Sequence, residues 1–524
     1  MSFEKEEEKA LMALKKDSTG EQGPREYDVV IIGAGIVGSA TARELSRYEG
    51  KVALLDKEPF PGFGVTKSGI SMIHSPLMCP PGTLKEKLCM GATARYKKLA
   101  IELKVDFKEV DELFLALDPS HLANLETLWK RGKGYGLEGC EIIGPEKIHQ
   151  QEPHITPKAL SALLVRGLGS IYPPEWAFAL SENACENGVH LHFKTPVTGI
   201  EKKKDFAYVV HTEKGPFKSR YLINVAGLFA DEIAAMVGDR GIELTLTKGT
   251  MAIFDKSVSH LLRHMVYGTF SGAHSQMMTQ TVHGNVMIGL GHFSKPGHKR
   301  DASVTPDKLQ EIIRMAKELV PDLPEREIIS TFAGIRSENN MATQGDFYIA
   351  HSPKAPGVIH GVIGSPGLTA APAIAERVIK MLEEAGLELI EKRSFRKERR
   401  KGPRLSDPSF ETRRSVMASN PGYGRMVCRC EQVTEGEIQD AIQRGADSLD
   451  GVKHLTRAGM GRCQGGYCSL PVMSLLAKQI GVGLEQVTKK GGMSFQVFSP
   501  SAHRKNGKTL PCLNGDGIEG GLNQ

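Results

Sequence analysis

A glycine string set inside one short strand–helix–strand pattern constrains this chain more than any other feature. Asp28-Val29-Val30-Ile31-Ile32 is an apolar, β-branched run of strand length. Gly33-Ala34-Gly35-Ile36-Val37-Gly38 follows, Ser39 to Tyr48 has helical periodicity, and Lys51-Val52-Ala53-Leu54-Leu55-Asp56 reads as a second buried strand tipped by an acid. In that setting G-x-G-x-x-G is a dinucleotide fingerprint. The glycines admit a pyrophosphate close to the backbone, the helix N-terminus favours its charge, and Asp56 accepts hydrogen bonds from a ribose. The plainer reading, a tight glycine turn beside an exposed aspartate, explains the string but not its placement.

Near the other end stand Cys428-Arg429-Cys430 and Cys463-Gln464-Gly465-Gly466-Tyr467-Cys468. A C-x-C pair and a C-x4-C pair can converge four thiolates, the donor count of an iron–sulfur cluster. Structural zinc has the same donor count and is the alternative metal; four unrelated thiols are the plainer reading. Cys79, Cys89, Cys140, Cys185 and Cys512 are scattered without a disulfide framework, which points to a reducing compartment and a cytoplasmic protein. The charged N-terminus does not resemble a signal peptide, and no apolar run is long enough to span a bilayer, so contact with the inner face of a membrane is at most peripheral or through a partner. A net charge of +6 on 524 residues does not call for nucleic acid. Much of it sits in Lys202-Lys203-Lys204 and in Lys392 to Arg404, read as a solvated turn and a solvated linker; a docking surface for an acidic redox partner or anionic lipid is the minority reading.

Between these ends, Tyr221 to Val225 and Gly357 to Ile363 read as buried strands, each followed by a glycine turn and a helix, from about Leu228 to Val237 and from about Thr369 to Ala385. Thr250 to Phe254, Gln276 to Thr281 and Asn285 to Gly289 read as antiparallel strands. Thr305-Pro306-Asp307 opens a helix through about Leu319, and another spans Glu435 to Gln443.

Several segments resemble the D-amino acid oxidase-like FAD oxidoreductases, in the branch of L-2-hydroxyglutarate dehydrogenases and the anaerobic glycerol-3-phosphate dehydrogenase large subunit. They are Val65-Thr66-Lys67 through Ile73-His74, Pro80 to Cys89, Asn224 to Asp231, Thr247-Lys248-Gly249, Phe332 to Arg336 and Gly364-Ser365-Pro366-Gly367-Leu368-Thr369 onward. The match runs over residues 26 to 385 with the motifs in order. Where that branch has N-S-G, this chain has Gly69-Ile70-Ser71, and Ser337 stands where it has proline after the arginine. The cysteine segment resembles the bacterioferritin-associated ferredoxin-like 2Fe-2S domain, with C-x4-C as in its versions fused to flavoenzymes.

The resemblance implies a Rossmann-like α/β FAD-binding domain with an α+β antiparallel-sheet substrate domain, plus a small, mainly helical 2Fe-2S domain. The expected layout is a tail over 1–25, the oxidoreductase over 26–390, a basic linker over 391–424, the cluster domain over 425–490 and a tail over 491–524. Within the oxidoreductase, about 26–85, 155–240 and 330–390 are expected to bind FAD, and 86–154 and 241–329 to form the substrate domain. FAD contacts are expected at Gly33, Gly35, Gly38, Asp56, Lys57, Thr66, Lys67, Ala226, Gly227, Gly364, Gly367, Leu368 and Thr369, and cluster ligands at Cys428, Cys430, Cys463 and Cys468. The helix after Gly367 points its positive end at the flavin and would stabilise the reduced anion by about 1 kcal/mol.

Arg336 offers a planar fork for a carboxylate or phosphate, against a surface ion pair as the plainer role. Lys248 is either a second cation or an exposed turn lysine. His74 is either the base that removes a hydroxyl proton or a flavin contact. The expected enzyme is a dehydrogenase that oxidises a small acidic hydroxy compound, glycerol 3-phosphate or a 2-hydroxy acid. Its electrons leave through the cluster to a partner subunit or carrier. An amine or amino acid dehydrogenase, and a redox-sensing or electron-transfer subunit without its own substrate, are the alternatives.

Overall fold

The computed structural model describes residues 25–204, 207–268, 274–405 and 409–497. The N-terminal tail apart from Arg25, the C-terminal tail beyond residue 497, and Cys512 lie outside the described residues. Among the described residues, no helix is long and apolar enough to cross a membrane.

The apolar run at the N-terminus becomes the strand Arg25–Ile32, central in an eight-stranded sheet. It pairs in parallel with Val52–Leu55 on one side and Phe217–Asn224 on the other, so that Ile31 lies between Leu54 and Ile223. Val358–Val362 continues the parallel order beyond Phe217–Asn224. Val29 to Ile32, Val52 to Leu55 and Val358 to Val362 are all buried, as strands covered on both faces must be. The helices Ile36–Leu45, Pro173–Glu186 and Gly367–Glu384 contribute to one of the covering cores.

Pro372 lies inside the last of these helices and cannot donate to the carbonyl of Leu368. That carbonyl instead accepts the hydroxyl of Tyr96, so the helix passes the proline without an orphaned acceptor.

A second, nine-stranded sheet runs Ile328–Asn339, Leu244–Phe254, Val286–Ser294, His274–Gln280, Met265–Tyr267, Phe107–Ala116, Ser161–Ile171, Met72–Ile73, with Glu141–Ile143 beside Ser161–Ile171. It is antiparallel except where Met265–Tyr267 meets Phe107–Ala116. The amphipathic helix Pro306–Leu319, which starts where the Thr-Pro-Asp signal places it, buries Ile312, Ile313, Ala316 and Leu319 on this sheet.

This layout corrects the expected division. Met72–Ile73, Ser161–Ile171 and Ile328–Asn339 fall in stretches assigned to FAD binding but belong to the second sheet. A strand's burial pattern reports that it is covered, not which sheet covers it.

The cysteine module folds as the hairpin Met426–Cys428/Val433–Thr434 and the helices Glu435–Gln443, Leu449–Thr456 and Ser469–Ile480. Thr434 and Glu437 form a capping box, which fixes the first helix where the sequence places it. Its core is shared with the first domain: Phe60, Phe63 and Phe178 pack with Ile438, Val452 and Leu476. Arg444 adds a two-pronged ion pair to Glu182, at 2.7 and 2.6 Å.

The basic segment from Lys392 is only in part the solvated linker expected: Arg393, Arg396, Lys397 and Arg400 are exposed, but other residues tie it down. Arg399 is 1% exposed beside Glu182, its amide donates to the carbonyl of Glu102, and Arg404 pairs with Asp106 at 2.7 Å. The segment straps the cysteine module to the first domain because buried acids on that domain draw its cations inward. The helix Phe410–Ser419 follows.

Candidate active site

The fingerprint helix Ile36–Leu45 begins at Gly35 with no side-chain cap from Gly35 and no acid in its first turn, so its positive end is left for an anion. Gly38 is obligatory: a Cβ there would overlap the carbonyl oxygen of Gly33. Thr66 approaches from a one-turn 3₁₀ segment, and its hydroxyl accepts the amide of Ile36 at 3.0 Å. Asp56 accepts the amides of Ala34 at 2.6 Å and Glu58 at 2.8 Å, and burial pushes its carboxyl up to about 6. The cradle, the helix end and the acid together fit the diphosphate and ribose of FAD.

Ala226 and Gly227 close the parallel strand alongside. Lys57 follows Asp56 and lies over the ring of Phe229; burial lowers its ammonium to about 8. Lys67 is not brought to this cradle. Its ammonium stands 5.0 Å from the centre of the Phe63 ring, toward Asp450 of the cysteine module.

The helix Gly367–Glu384 starts at the Gly364–Gly367 turn, again with no capping side chain and no acid in its first turn. The Thr369 hydroxyl does not point free; it accepts the backbone amide of His74 at 3.1 Å and ties the two loops together. Leu368 contributes its carbonyl to Tyr96.

His74 lies in the loop that follows the short strand Met72–Ile73. Its Nδ1 lies 2.7 Å from the Tyr267 hydroxyl, which in turn lies 3.4 Å from Glu112 Oε1. Burial, reinforced by the Arg336 charge, lowers the imidazole to about 4, so it is neutral near pH 7. Glu112 is fully buried, burial raises its carboxyl to about 7, and it accepts the amide of Ser75 at 3.1 Å. Neither Tyr267 nor Glu112 is marked in the sequence. Tyr267 sits in an apolar strand pattern, and Glu112 ends the charged run Lys108-Glu109-Val110-Asp111-Glu112, where nothing singles it out as the buried acid until the sheet is assembled.

Arg336 lies in Ile328–Asn339, half-buried, with its guanidinium 4.5 Å from the centre of the Phe293 ring. Among the described residues it makes no ion pair or hydrogen bond. An unpaired guanidinium beside a neutral histidine is a site for an anionic group.

Lys248 does not join it. The strand register sets Thr247 opposite Arg336 and Lys248 opposite Ile335, so the lysine projects from the other face of the sheet. There it is 8% exposed and bonds Asp301 at 2.9 Å and Ser303 at 3.1 Å. It lies mid-strand, not in a turn.

Ser71 stands where the resembling family has glycine, and it takes φ +67°, the left-handed conformation glycine adopts freely. Ser71→Gly is expected to raise stability by about 1 kcal/mol, read as a higher midpoint in denaturant unfolding. An unchanged or lower midpoint would show that this backbone conformation carries no penalty.

In the cysteine module, Cys428 and Cys468 are buried, Cys430 is exposed and Cys463 half-exposed. The thiols fall into two pairs: Cys430 and Cys463 are 3.6 Å apart, and Cys428 is held below the usual thiol range, near 6, chiefly by a hydrogen bond from Cys468. No three of the four lie within 4.8 Å of one another. A tetrahedral zinc with bonds of about 2.3 Å would set all six sulfur pairs at about 3.8 Å. Two sulfurs on each of two irons give the pairwise arrangement seen here. Backbone amides of Gly459 and Glu431 address Cys428, and those of Tyr467, Gly465 and Gly466 address Cys463, the donors an iron–sulfur centre uses. Gly461 must be glycine, because a Cβ would overlap that of Cys430. The donor set therefore fits 2Fe-2S better than zinc.

Between the two centres, Phe63 packs edge-on against His454, whose Nδ1 is 2.6 Å from the Tyr172 hydroxyl. Arg457 donates to Glu431 at 2.8 Å and to Asn285 at 3.3 Å.

Residues 28–381 match the FAD dependent oxidoreductase family, and residues 426–478 match the BFD-like 2Fe-2S binding domain. A glycerol 3-phosphate dehydrogenase of Caloramator mitchellensis is 37% identical over 479 residues, covering 91% of this chain and 99% of that protein. A mitochondrial L-2-hydroxyglutarate dehydrogenase of Caenorhabditis elegans is 29% identical, covering 54% of this chain and 68% of its own. The FAD-bound, dithionite-reduced L-alpha-glycerophosphate oxidase of Mycoplasma pneumoniae superposes with a TM-score of 0.63 at 26% identity, over 72% of this chain and 98% of that one.

Proposed function

The chain belongs to the FAD dependent oxidoreductase family and carries a BFD-like 2Fe-2S domain; it is an FAD-dependent enzyme acting on CH–OH groups, and we propose that its substrate is glycerol 3-phosphate. The observation that carries this reading is the unpaired guanidinium of Arg336, close enough to His74 to lower its basicity. One anionic group of the substrate binds the guanidinium, and the hydroxyl to be oxidised then lies at His74 Nε2. The 37% identity to a glycerol 3-phosphate dehydrogenase, across nearly the whole of both chains, favours the phosphate over a 2-hydroxy acid.

FAD when bound accepts hydride, and a 2Fe-2S centre when bound carries single electrons onward. The residues of the chain orient the reacting carbon, remove the hydroxyl proton and exclude water. Gly33, Gly35, Gly38, Asp56, Thr66, Ala226 and Gly227 hold the nucleotide. Gly364, Gly367 and the helix they open present a positive end to the ring system.

Cys430 is the exposed ligand, next to exposed Arg429. Electrons leave from that side to a one-electron carrier or partner subunit. The described cysteines are all free thiols, in keeping with a reducing, cytoplasmic setting.

The test is anaerobic bleaching of the flavin by a panel of glycerol 3-phosphate, 2-hydroxy acids and amino acids. Glycerol 3-phosphate is expected to bleach fastest; reduction by amino acids alone would overturn the reading. Arg336→Ala is expected to raise the substrate concentration for half-maximal bleaching roughly 30- to 5,000-fold, the loss of about 2–5 kcal/mol from a desolvated charge pair. An unchanged half-maximal concentration would remove Arg336 from the site.

A further inference from the structure

The hydrogen-bonded row behind His74 has no role in substrate binding, yet it is built throughout from buried groups. Tyr267 is 2% exposed and is held by a stacked Phe114 ring, 4.7 Å between centroids and 15° between planes. Its hydroxyl bridges His74 Nδ1 at 2.7 Å and Glu112 Oε1 at 3.4 Å. Glu112 is 0% exposed, and among the described residues its second oxygen, Oε2, makes no hydrogen bond; the Ser75 hydroxyl, itself buried and unpaired among them, is near enough to favour the carboxylate, and burial outweighs it. A buried carboxylate oxygen without a donor is costly as an anion and accommodates a proton readily.

We propose that Glu112 is the final acceptor of the substrate's hydroxyl proton. Resting on the reading of His74 as the base, the sequence is as follows. His74 Nε2 takes the proton of the hydroxyl as the C–H of the same carbon leaves as hydride. The Nδ1–H bond breaks as its proton moves to the Tyr267 oxygen, and the Tyr267 O–H proton moves to Glu112. His74 ends neutral, Tyr267 ends neutral, and one carboxylate has become a carboxylic acid. Tyr267 and Glu112 touch neither substrate nor flavin; they are positioning residues that act through His74.

The charges around His74 require such an outlet. Burial and the facing Arg336 guanidinium both disfavour an imidazolium, so His74 is a poor resting place for a proton. Glu112, with no cation against it and burial raising its carboxyl to about 7, is the better one. The groups that face it are Tyr267, from the neighbouring strand Met265–Tyr267, the amide and hydroxyl of Ser75, and His74 itself at 3.8 Å. From Ser161–Ile171, on the other side, Val165 stands opposite, with no titratable group.

The same row sets the tautomer. With Glu112 ionised, Tyr267 donates to it and accepts from His74 Nδ1–H, which leaves the Nε2 lone pair toward the substrate. With Glu112 protonated, the row can reverse: Glu112 donates to Tyr267, Tyr267 donates to Nδ1, and Nε2 carries the hydrogen and cannot act as base. The competent form therefore gains population as pH rises through about 7.

The experiment has two arms. In the FAD-loaded full chain, ¹⁵N NMR of the His74 ring, assigned by loss of its signals in His74→Gln, reads the tautomer without any substrate. Nδ1–H at pH 8, giving way to Nε2–H below about 7, is the expected result; Nε2–H at pH 8 overturns the proposal. In the second arm, stopped-flow flavin reduction by glycerol 3-phosphate is followed from pH 5.5 to 9. The wild type is expected to show a limb rising with a midpoint near 7. Glu112→Gln and Tyr267→Phe are expected to lose that limb and to fall about 100-fold at pH 8, with FAD content measured alongside. A wild-type limb retained in Glu112→Gln overturns the relay. If no hydroxy compound bleaches the wild-type flavin, the substrate reading fails, while the tautomer arm still decides the proposal.

Discussion

His74→Gln is expected to slow flavin reduction by the substrate roughly 100- to 10,000-fold, the range of a lost general base. The FAD content should survive. The contact that joins this loop to the helix Gly367–Glu384 is the His74 backbone amide to Thr369, which the substitution leaves in place. His74 is already neutral near pH 7, so no charge is removed and Arg336 keeps its environment. The half-maximal substrate concentration should therefore change far less than the rate. Stopped-flow bleaching under anaerobic conditions separates these quantities. A variant that reduces its flavin at the wild-type rate would make His74 a mere contact and leave the oxidation without a base.

Loss of one buried cluster ligand should have an effect of similar size on a different step. Wild-type protein is expected to contain about two irons and two acid-labile sulfides per chain. Cys428→Ser removes the 1%-exposed ligand, whose oxygen is a poor substitute for thiolate, and should leave almost no iron. The variant should still bleach its flavin with substrate, because the fingerprint and His74 lie in the other domain. Turnover with a one-electron acceptor should fall to near background. Cys430→Ser is the milder comparison, since its ligand is exposed and solvent can replace it. Iron and sulfide assays with low-temperature EPR check both. One zinc per chain and no labile sulfide in the wild type would overturn the pairing argument drawn from the thiol separations.

The two predictions separate the halves of the molecule because each centre draws its binding residues from its own half, although the halves share a core. Phe63 belongs to the loop that carries Thr66, and it packs on His454 of the cysteine module. The strap with Arg399 and the Arg444–Glu182 pair hold that contact. Removing a ligand on one side leaves the other side's cradle intact.

Local chemistry made much of this legible in the chain itself. Val29 to Ile32 had to be a strand covered on both faces, and Gly38 had to be glycine because the helix crosses the strand so closely. Thr305-Pro306-Asp307 marked a helix start, and the four cysteines marked a metal centre by their spacing. Each of these signals is carried by residues near one another in sequence, where turn, cap and periodicity rules operate.

What the chain order could not reveal depends on register and on the sheet's two faces. Lys248 reads in sequence as a second cation or a turn lysine, yet it lies mid-strand, and the pairing of Thr247 with Arg336 turns it to the opposite face, where Asp301 neutralises it. Tyr267 and Glu112 are 155 residues apart and meet only because Met265–Tyr267 lies beside Phe107–Ala116. Arg399, Lys401 and Arg404 read as solvated like their neighbours until the first domain supplies the acids that draw these three in. Period-two alternation tells which residues share a face; only the assembled sheet decides what that face meets, and burial then decides which side chains keep their charge.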